Sequence, residues 1–146
     1  MKTWILAVLC AVGLVAIGGL LGAVFSTEGY GDREQPSFAP PSWVFGPVWT
    51  ALYAMIGISL ALLIKQRATN ALYWFGAQLF LNFLWTPAFF GIDSPLVAFI
   101  IILALLATLV VTMFKAWNYS RIAVYLLVPY VLWVAFATVL NGAHVF

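Results

Sequence analysis

SFAPPSWVFGPVWTALY, residues 37–53, contains three prolines, two tryptophans, two phenylalanines and a tyrosine, and it carries no charge. Proline interrupts or bends a helix, whereas tryptophan and tyrosine are large rings whose polar groups need a hydrogen-bond partner when they are buried. The combination predicts that the chain turns into a bent helix here. The aromatic side chains beside the prolines are then expected to line a surface that does not face lipid.

The rest of the chain is equally apolar. Of its 146 residues, 66% are hydrophobic and only 7% are charged, and its mean hydropathy is +1.11. A soluble domain carries about 25% charged residues, so this composition excludes an ordinary soluble fold. The six basic and four acidic residues leave five charge-free runs, at 3–27, 35–64, 68–92, 94–114 and 122–146.

Each charge-free run reaches the roughly 20 residues that cross a bilayer core as a helix, and none has the alternating pattern of a barrel strand. We therefore predict an all-α polytopic membrane protein, a single five-helix transmembrane bundle over residues 1–146. The helices are expected at about 4–25, 43–64, 70–91, 95–117 and 122–143. The long first loop, residues 26–42, is rich in proline and aromatic residues and is predicted to act as a lid.

The basic residues predict the orientation of the bundle. If the five helices alternate in direction, five of the six basic residues lie on one side of the membrane: Lys2, Lys65, Arg67, Lys115 and Arg121. The other side has Arg33 and all four acidic residues. The positive-inside rule then places the N-terminus in the cytoplasm and the C-terminus outside. A cleaved signal peptide is the alternative for the first run, but that run exceeds the 7–15 apolar residues of such a segment.

Three tryptophans on three different predicted helices lie in the outer half of the membrane. At 1.5 Å per residue, Trp49 and Trp85 are about 9 Å deep and Trp133 about 12–15 Å deep. Trp4, Trp43, Trp74 and Trp117, by contrast, fall near helix ends and fit an interfacial belt. An indole N–H in hydrocarbon requires a partner, so the deep tryptophans are expected to face protein or a ligand.

Helical spacing places further residues on the same faces as these three rings. The neighbours are Tyr53, Asn82, Phe89 and Ala137. A polar amide such as Asn82 inside a span is expected to face the bundle interior. The set predicts an aromatic-walled cavity that opens toward the first loop. The alternative is that Asn82 joins the helices and the aromatic side chains only pack.

Residues for acid–base, nucleophilic or metal chemistry are scarce. The chain has one histidine, one cysteine, and no carboxylate pair, Cys/His cluster or phosphate-binding glycine loop. We therefore expect no metal site, no obligatory cofactor and no nucleic-acid partner. GGLLG at 18–22 is a small-residue packing motif, which suits a tight contact within one chain as well as a dimer.

Three stretches resemble one family. QPSFAPPSWVFGPVWTALY (35–53), AQLFLNFLWTPAFFG (77–91) and LLVPYVLWVAFATVLN (126–141) are similar to the motifs of the translocator protein / tryptophan-rich sensory protein family, TspO/MBR. The resemblance covers nearly the whole chain. It implies a five-helix bundle, commonly a homodimer, that binds tetrapyrroles such as protoporphyrin IX or haem, and in animal members also cholesterol.

The family's binding pocket, carried onto matching positions, implies a set of ligand-binding residues in this chain. They are Tyr30, Trp49, Tyr53, Asn82, Trp85, Phe89, Trp133 and Ala137. Some bacterial members resemble light-dependent porphyrin-degrading catalysts, for which Trp49 and Trp133 are the matching tryptophans. Two departures stand out: Phe38 occupies the usual tryptophan position of the first loop, and the cholesterol motif is missing from 137–146.

These observations leave three hypotheses for the function. The leading one is a receptor or carrier for tetrapyrroles in a bacterial inner membrane, with roles in transport, sensing or stress regulation. The second is a light-dependent porphyrin-degrading catalyst. The third is a membrane partner protein that modulates another complex, in which case tetrapyrrole would bind no better than to detergent micelles.

Overall fold

A computed structural model describes residues 2–24, 45–88, 94–143 and 145. The regular structure in these ranges is helical throughout, which confirms the all-α expectation for this part of the chain. The five helices are α1 (Thr3–Val24), α2 (Phe45–Lys65), α3 (Thr69–Thr86), α4 (Pro95–Ala116) and α5 (Arg121–Ala143). The lid predicted at 26–42 lies outside the described residues.

Local chemistry explains where several helices begin and end. Ser94 caps α4, since its hydroxyl accepts a hydrogen bond from the backbone N–H of Val97 at 3.4 Å, and Pro95 occupies the first helical position. Ser120 caps α5 in the same way, accepting from the N–H of Ala123 at 3.1 Å. Arg67 adopts a left-handed φ of 54° just after α2, a conformation that ends helices.

The end of α3 shows the effect of a proline. Regular α-helix stops at Thr86, and Pro87 and Ala88 continue as a wider π turn. Proline supplies no backbone N–H to the helix, and π turns of this kind occur as single turns within or beside α-helices. The sequence predicted this helix to continue to residue 91, and residues 89–91 lie outside the described part of the chain.

The helices pack as antiparallel neighbours. The most extensive contacts join α1 to α2 and α3 to α4, and α5 packs against both α4 and α2. Gly57 of α2 faces Ala11 of α1, while Gly18 of α1 faces Tyr53 of α2, so these two helices run in opposite directions. The short α2–α3 and α4–α5 connections therefore lie at the same end as the chain's N-terminus.

Five of the six basic residues lie at this end, which we call the basic end: Lys2, Lys65, Arg67, Lys115 and Arg121. Ser59 and Ala123 join α2 to α5 near it, because the Ser59 hydroxyl donates to the Ala123 carbonyl at 2.9 Å. The charge distribution predicted from the sequence is thus matched by the way the helices are connected.

Among the residues that the structure describes, three helical segments are long and apolar enough to cross a membrane by length and composition: Pro47–Lys65, Pro95–Ala116 and Arg121–Ala143. The apolar segment of α1, Trp4–Gly18, is shorter than these three. Large apolar side chains are exposed on the outer faces of the helices, among them Phe80, Phe114 and Leu132. Such continuous apolar exposure suits a lipid environment and not water.

Candidate functional site

Trp49 is the centre of a group of aromatic rings between α2, α3 and α5. Its ring centroid lies 5.4 Å from that of Tyr53, 6.4 Å from Tyr130 and 6.5 Å from Trp133. The planes of Trp49 and Trp133 are nearly perpendicular, at 89°. We call these four residues, together with Phe83 and Phe136 that contact them, the aromatic cluster.

The geometry of these pairs is that of favourable ring contacts. Centroid separations of about 4.5–7 Å with tilted or edge-to-face planes give about 0.5–1.5 kcal/mol beyond the burial of area. Tyr53 and Tyr130 are buried, whereas Trp49 and Trp133 are half-buried. The two indoles therefore keep part of their surface accessible.

A buried chain of hydrogen bonds ties the two tyrosines to α3. The Tyr53 hydroxyl donates to Asn82 Oδ1 at 2.6 Å, and Asn82 Nδ2 donates to the Tyr130 hydroxyl at 2.7 Å. The Tyr130 hydroxyl in turn donates to Gln78 Oε1 at 2.7 Å. We call this series, from Tyr53 through Asn82 and Tyr130 to Gln78, the polar chain. It orients both rings and leaves their apolar faces toward the cluster.

The polar chain ends in a buried amide donor. Gln78 is fully buried, and its Nε2 has no hydrogen-bond partner within the described part of the chain. A buried donor without a partner is unfavourable by about 1–3 kcal/mol. An acceptor supplied from outside the protein, a ligand oxygen or a water molecule, would relieve this cost.

Trp85 has a different role from Trp49 and Trp133. Its indole N–H donates to Asn141 Oδ1 at 3.0 Å, and Asn141 Nδ2 donates to the Pro95 carbonyl at 2.9 Å. The side chain is 5% exposed. Trp85 and Asn141 thus link α3 and α5 to the start of α4, and the indole N–H is engaged within the protein.

The predicted site residues fall into three groups. Trp49, Tyr53, Asn82 and Trp133 are brought together in the aromatic cluster and the polar chain. Trp85 and Ala137 are buried in the core. Tyr30 and Phe89 lie outside the described residues.

The sequence reasoning missed Tyr130 and Gln78. Gln78 precedes Asn82 by one helical turn, so the spacing places a second polar amide on the same helix face and could have predicted its place in the site. Tyr130 follows Pro129 directly, three residues before Trp133 on α5. Its place at the junction of ring contacts and hydrogen bonds depends on how α5 is rotated, which spacing within α5 does not specify.

The site offers stacking surfaces and amide groups but no acid–base pair. Within the ranges described, no group of three or more His, Cys, Asp or Glu side chains is placed to hold a metal ion. The available chemistry is recognition of a flat, largely apolar molecule with a few polar atoms.

Comparison with known proteins identifies the family of the chain. The model of the TspO/MBR family matches residues 7–146. A tryptophan-rich protein TspO from Chlorobaculum tepidum is 37% identical, over 97% of this chain and 95% of the relative. Another from Archaeoglobus fulgidus is 36% identical over 95% of each. The human translocator protein is 36% identical, over 77% of this chain and 70% of the relative.

Proposed function

This chain belongs to the TspO/MBR family and is an integral membrane protein, and on that premise we propose that it is a receptor or carrier for tetrapyrroles. The ligand class is protoporphyrin IX or haem, bound against the aromatic cluster. The observation that carries the proposal is the packing of Trp49 with Trp133 and Tyr130 above a hydrogen-bonded base.

Stacking and burial supply the affinity in this proposal. A porphyrin is flat and apolar over most of its area, and each buried square ångström contributes about 25 cal/mol before the costs of association. The half-buried indoles of Trp49 and Trp133 offer the surface for this contact. The free Nε2 of Gln78 is a donor for a ligand oxygen at the base of the site.

The proposal includes the membrane arrangement expected from the sequence. All five helices cross a bacterial inner membrane, with the N-terminus cytoplasmic and the C-terminus outside. The loop at 26–42 closes over the outer mouth, where Arg33 is available for the ligand's propionates. The short connections and the cations collected at the basic end support this membrane orientation. The proposal also includes a homodimer, which the family resemblance implies.

Titration in the dark tests tetrapyrrole binding. Purified protein is titrated with protoporphyrin IX while the porphyrin absorption band is followed. We expect saturable binding by the wild type, and an affinity about tenfold weaker for Trp49→Ala/Trp133→Ala because two stacking contacts are removed. The absorption readout does not depend on the number of tryptophans that remain.

A matched double variant serves as the control. Trp4 and Trp74 are both exposed, so Trp4→Ala/Trp74→Ala removes two tryptophans without touching the aromatic cluster and is expected to bind like the wild type. Trp49→Phe/Trp133→Phe keeps a ring at each position and should retain most of the affinity. Equal, non-saturable signals from wild type and variants would refute the receptor hypothesis and favour the partner-protein alternative.

Light-dependent breakdown of the bound porphyrin is the second candidate, favoured by the contact between Trp49 and Trp133. Their rings are 6.5 Å apart, and Tyr130 lies 6.4 Å from Trp49, so readily oxidised side chains lie side by side. An excited porphyrin could take an electron from either indole, with molecular oxygen as the final oxidant. Illumination in air should then bleach the bound porphyrin in the wild type but not in Trp49→Phe/Trp133→Phe, although the variant still binds.

A further inference from the structure

A second apolar concavity lies between α4 and α5, and it extends from Val131, which follows Tyr130 of the aromatic cluster in the chain, to Trp117 and Asn118 near the α4–α5 connection. Its volume is about 580 Å³, within the about 300–1,000 Å³ range of small-molecule sites. The lining includes Val110, Phe114 and Trp117 from α4 and Val131 from α5. We call it the α4–α5 groove. Because Phe114 is 75% exposed, the groove opens sideways from the bundle.

Polar and charged groups lie at the end of this groove near the α4–α5 connection. Asn118 is part of the lining. The Arg121 guanidinium carbon lies 4.8 Å from the centroid of the Trp117 ring, within the range of a cation–π contact. The Trp117 ring also contacts Tyr125 edge-on at 5.9 Å. Arg121 is therefore held at the mouth of the groove while its N–H edges remain available.

Within the described part of the chain, no carboxylate balances the charge at this mouth. Lys115 and Arg121 flank the connection, and both are exposed. All four acidic residues of the chain, at positions 28, 32, 34 and 93, lie outside the described residues. Among the described residues, the groove thus combines an apolar trough along the bundle with two cations at one end.

We propose that the α4–α5 groove binds an anionic phospholipid, with an acyl chain along the trough and the phosphate at Arg121 and Asn118. Basic pockets between membrane helices recognise such headgroups. A guanidinium binds phosphate through paired N–H donors. Trp117 is at the level where an interfacial ring meets the headgroup region.

A second copy of the chain fits this groove less well than a lipid does. Two copies that share a membrane orientation would bring their Lys115 and Arg121 residues to the same depth. Like charges at one interface are unfavourable, more so away from bulk water. An anionic headgroup, in contrast, brings a negative charge that attracts both side chains.

Native mass spectrometry of the delipidated, detergent-purified protein tests this inference. Phosphatidylglycerol and phosphatidylcholine with identical acyl chains are added in separate titrations. We expect the wild type to retain one phosphatidylglycerol at a lipid concentration about tenfold lower than phosphatidylcholine. Arg121→Gln should reduce that preference about fivefold, and Arg121→Lys should keep only part of it, because it retains the charge but loses the paired N–H donors.

Matched variants locate the lipid. Val110→Trp fills the groove and should abolish retention of both lipids, whereas Val97→Trp, on an exposed part of α4 outside the groove, should leave it unchanged. Arg67→Gln removes a cation from the same end without touching the groove and should keep the preference.

Three results would overturn the inference. One is equal retention of the two lipids by the wild type. Another is an equal loss of preference in Arg67→Gln and Arg121→Gln, which would indicate the general charge of the basic end and not this groove. The third is a change from dimer to monomer in Val110→Trp, which would assign the groove to a second copy. Porphyrin affinity, measured separately, is expected to be unaltered in all these variants.

Discussion

Asn82 joins the two tyrosines of the polar chain, because its carbonyl oxygen accepts from Tyr53 and its amide nitrogen donates to Tyr130. Each partner comes from a different helix, so one side chain on α3 orients a ring on α2 and a ring on α5. Both rings also contact Trp49. Removing the amide therefore affects the base of the candidate site as well as the stability of the fold.

We predict that Asn82→Leu lowers the free energy of unfolding by about 1–3 kcal/mol, since the buried Tyr53 hydroxyl loses its acceptor and the Tyr130 hydroxyl loses one of its two hydrogen bonds. The measurement is a denaturant titration of the protein in detergent. Asn70→Leu is the matched control, because Asn70 is exposed in the first turn of α3, and its effect should stay within about 0.5 kcal/mol. Equal effects of the two substitutions would contradict the role assigned to Asn82.

Trp85 is a deep indole whose N–H is satisfied within the protein, and its place against a ligand stays a prediction. Its N–H bonds to Asn141 at 3.0 Å. Trp85→Phe should therefore reduce stability by about 0.5–1.5 kcal/mol through the lost hydrogen bond, while the retained ring keeps porphyrin affinity nearly unchanged. Unfolding and porphyrin titrations of this variant are compared with those of Trp74→Phe, which alters an exposed tryptophan. A large loss of affinity with unchanged stability would place Trp85 against the ligand instead.

At the scale of the helices, two glycines determine how closely α1 approaches α2. A Cβ added at Gly57 would lie 2.6 Å from the carbonyl carbon of Cys10, so the two backbones are in contact there. A Cβ at Gly18 would overlap the ring of Tyr53. The small-residue motif at 18–22 therefore makes a close contact within the monomer, where Gly18 packs against the Tyr53 ring of the aromatic cluster.

This contact gives a prediction about helix packing. Gly57→Ala forces α1 away from α2, because a backbone neighbour cannot rotate aside, and should lower stability by about 1–3 kcal/mol. Gly13→Ala is the control on the same helix pair, since a Cβ at Gly13 meets nothing within 4 Å. It should leave stability unchanged or raise it slightly through helix propensity. Thermal unfolding of both variants in detergent distinguishes them, and a Gly57→Ala protein as stable as Gly13→Ala would contradict the close approach.

For the molecule as a whole, the sequence predicted the parts that depend on length and charge. Ten charged residues divide the chain into helix-length runs, and their signs separate the two ends. Depth along a helix also follows from counting residues, which places Trp49, Trp85 and Trp133 together in the outer half of the membrane. The rotation of each helix about its own axis does not follow from counting residues, because it depends on packing against neighbouring helices. Hence the Trp85–Asn141 bond and the Tyr130–Gln78 bond were not foreseen.

The orientation of the whole molecule can be tested by labelling single cysteines. In a Cys10→Ser background, Gln66→Cys at the basic end should react with a membrane-impermeant maleimide only after the cells are permeabilised. Val145→Cys, beyond the end of α5, should react in intact cells. Both positions lie outside the helices, so access is set by the side of the membrane. Three helices separate residue 66 from residue 145, and each crossing reverses the side of the membrane. The two positions should therefore lie on opposite sides and give opposite outcomes. Reaction of both cysteines from the same side would mean that one helix after residue 66 does not cross. Tyr119→Cys, which should behave like Gln66→Cys, would then show whether that helix is α5 or one of the two before it.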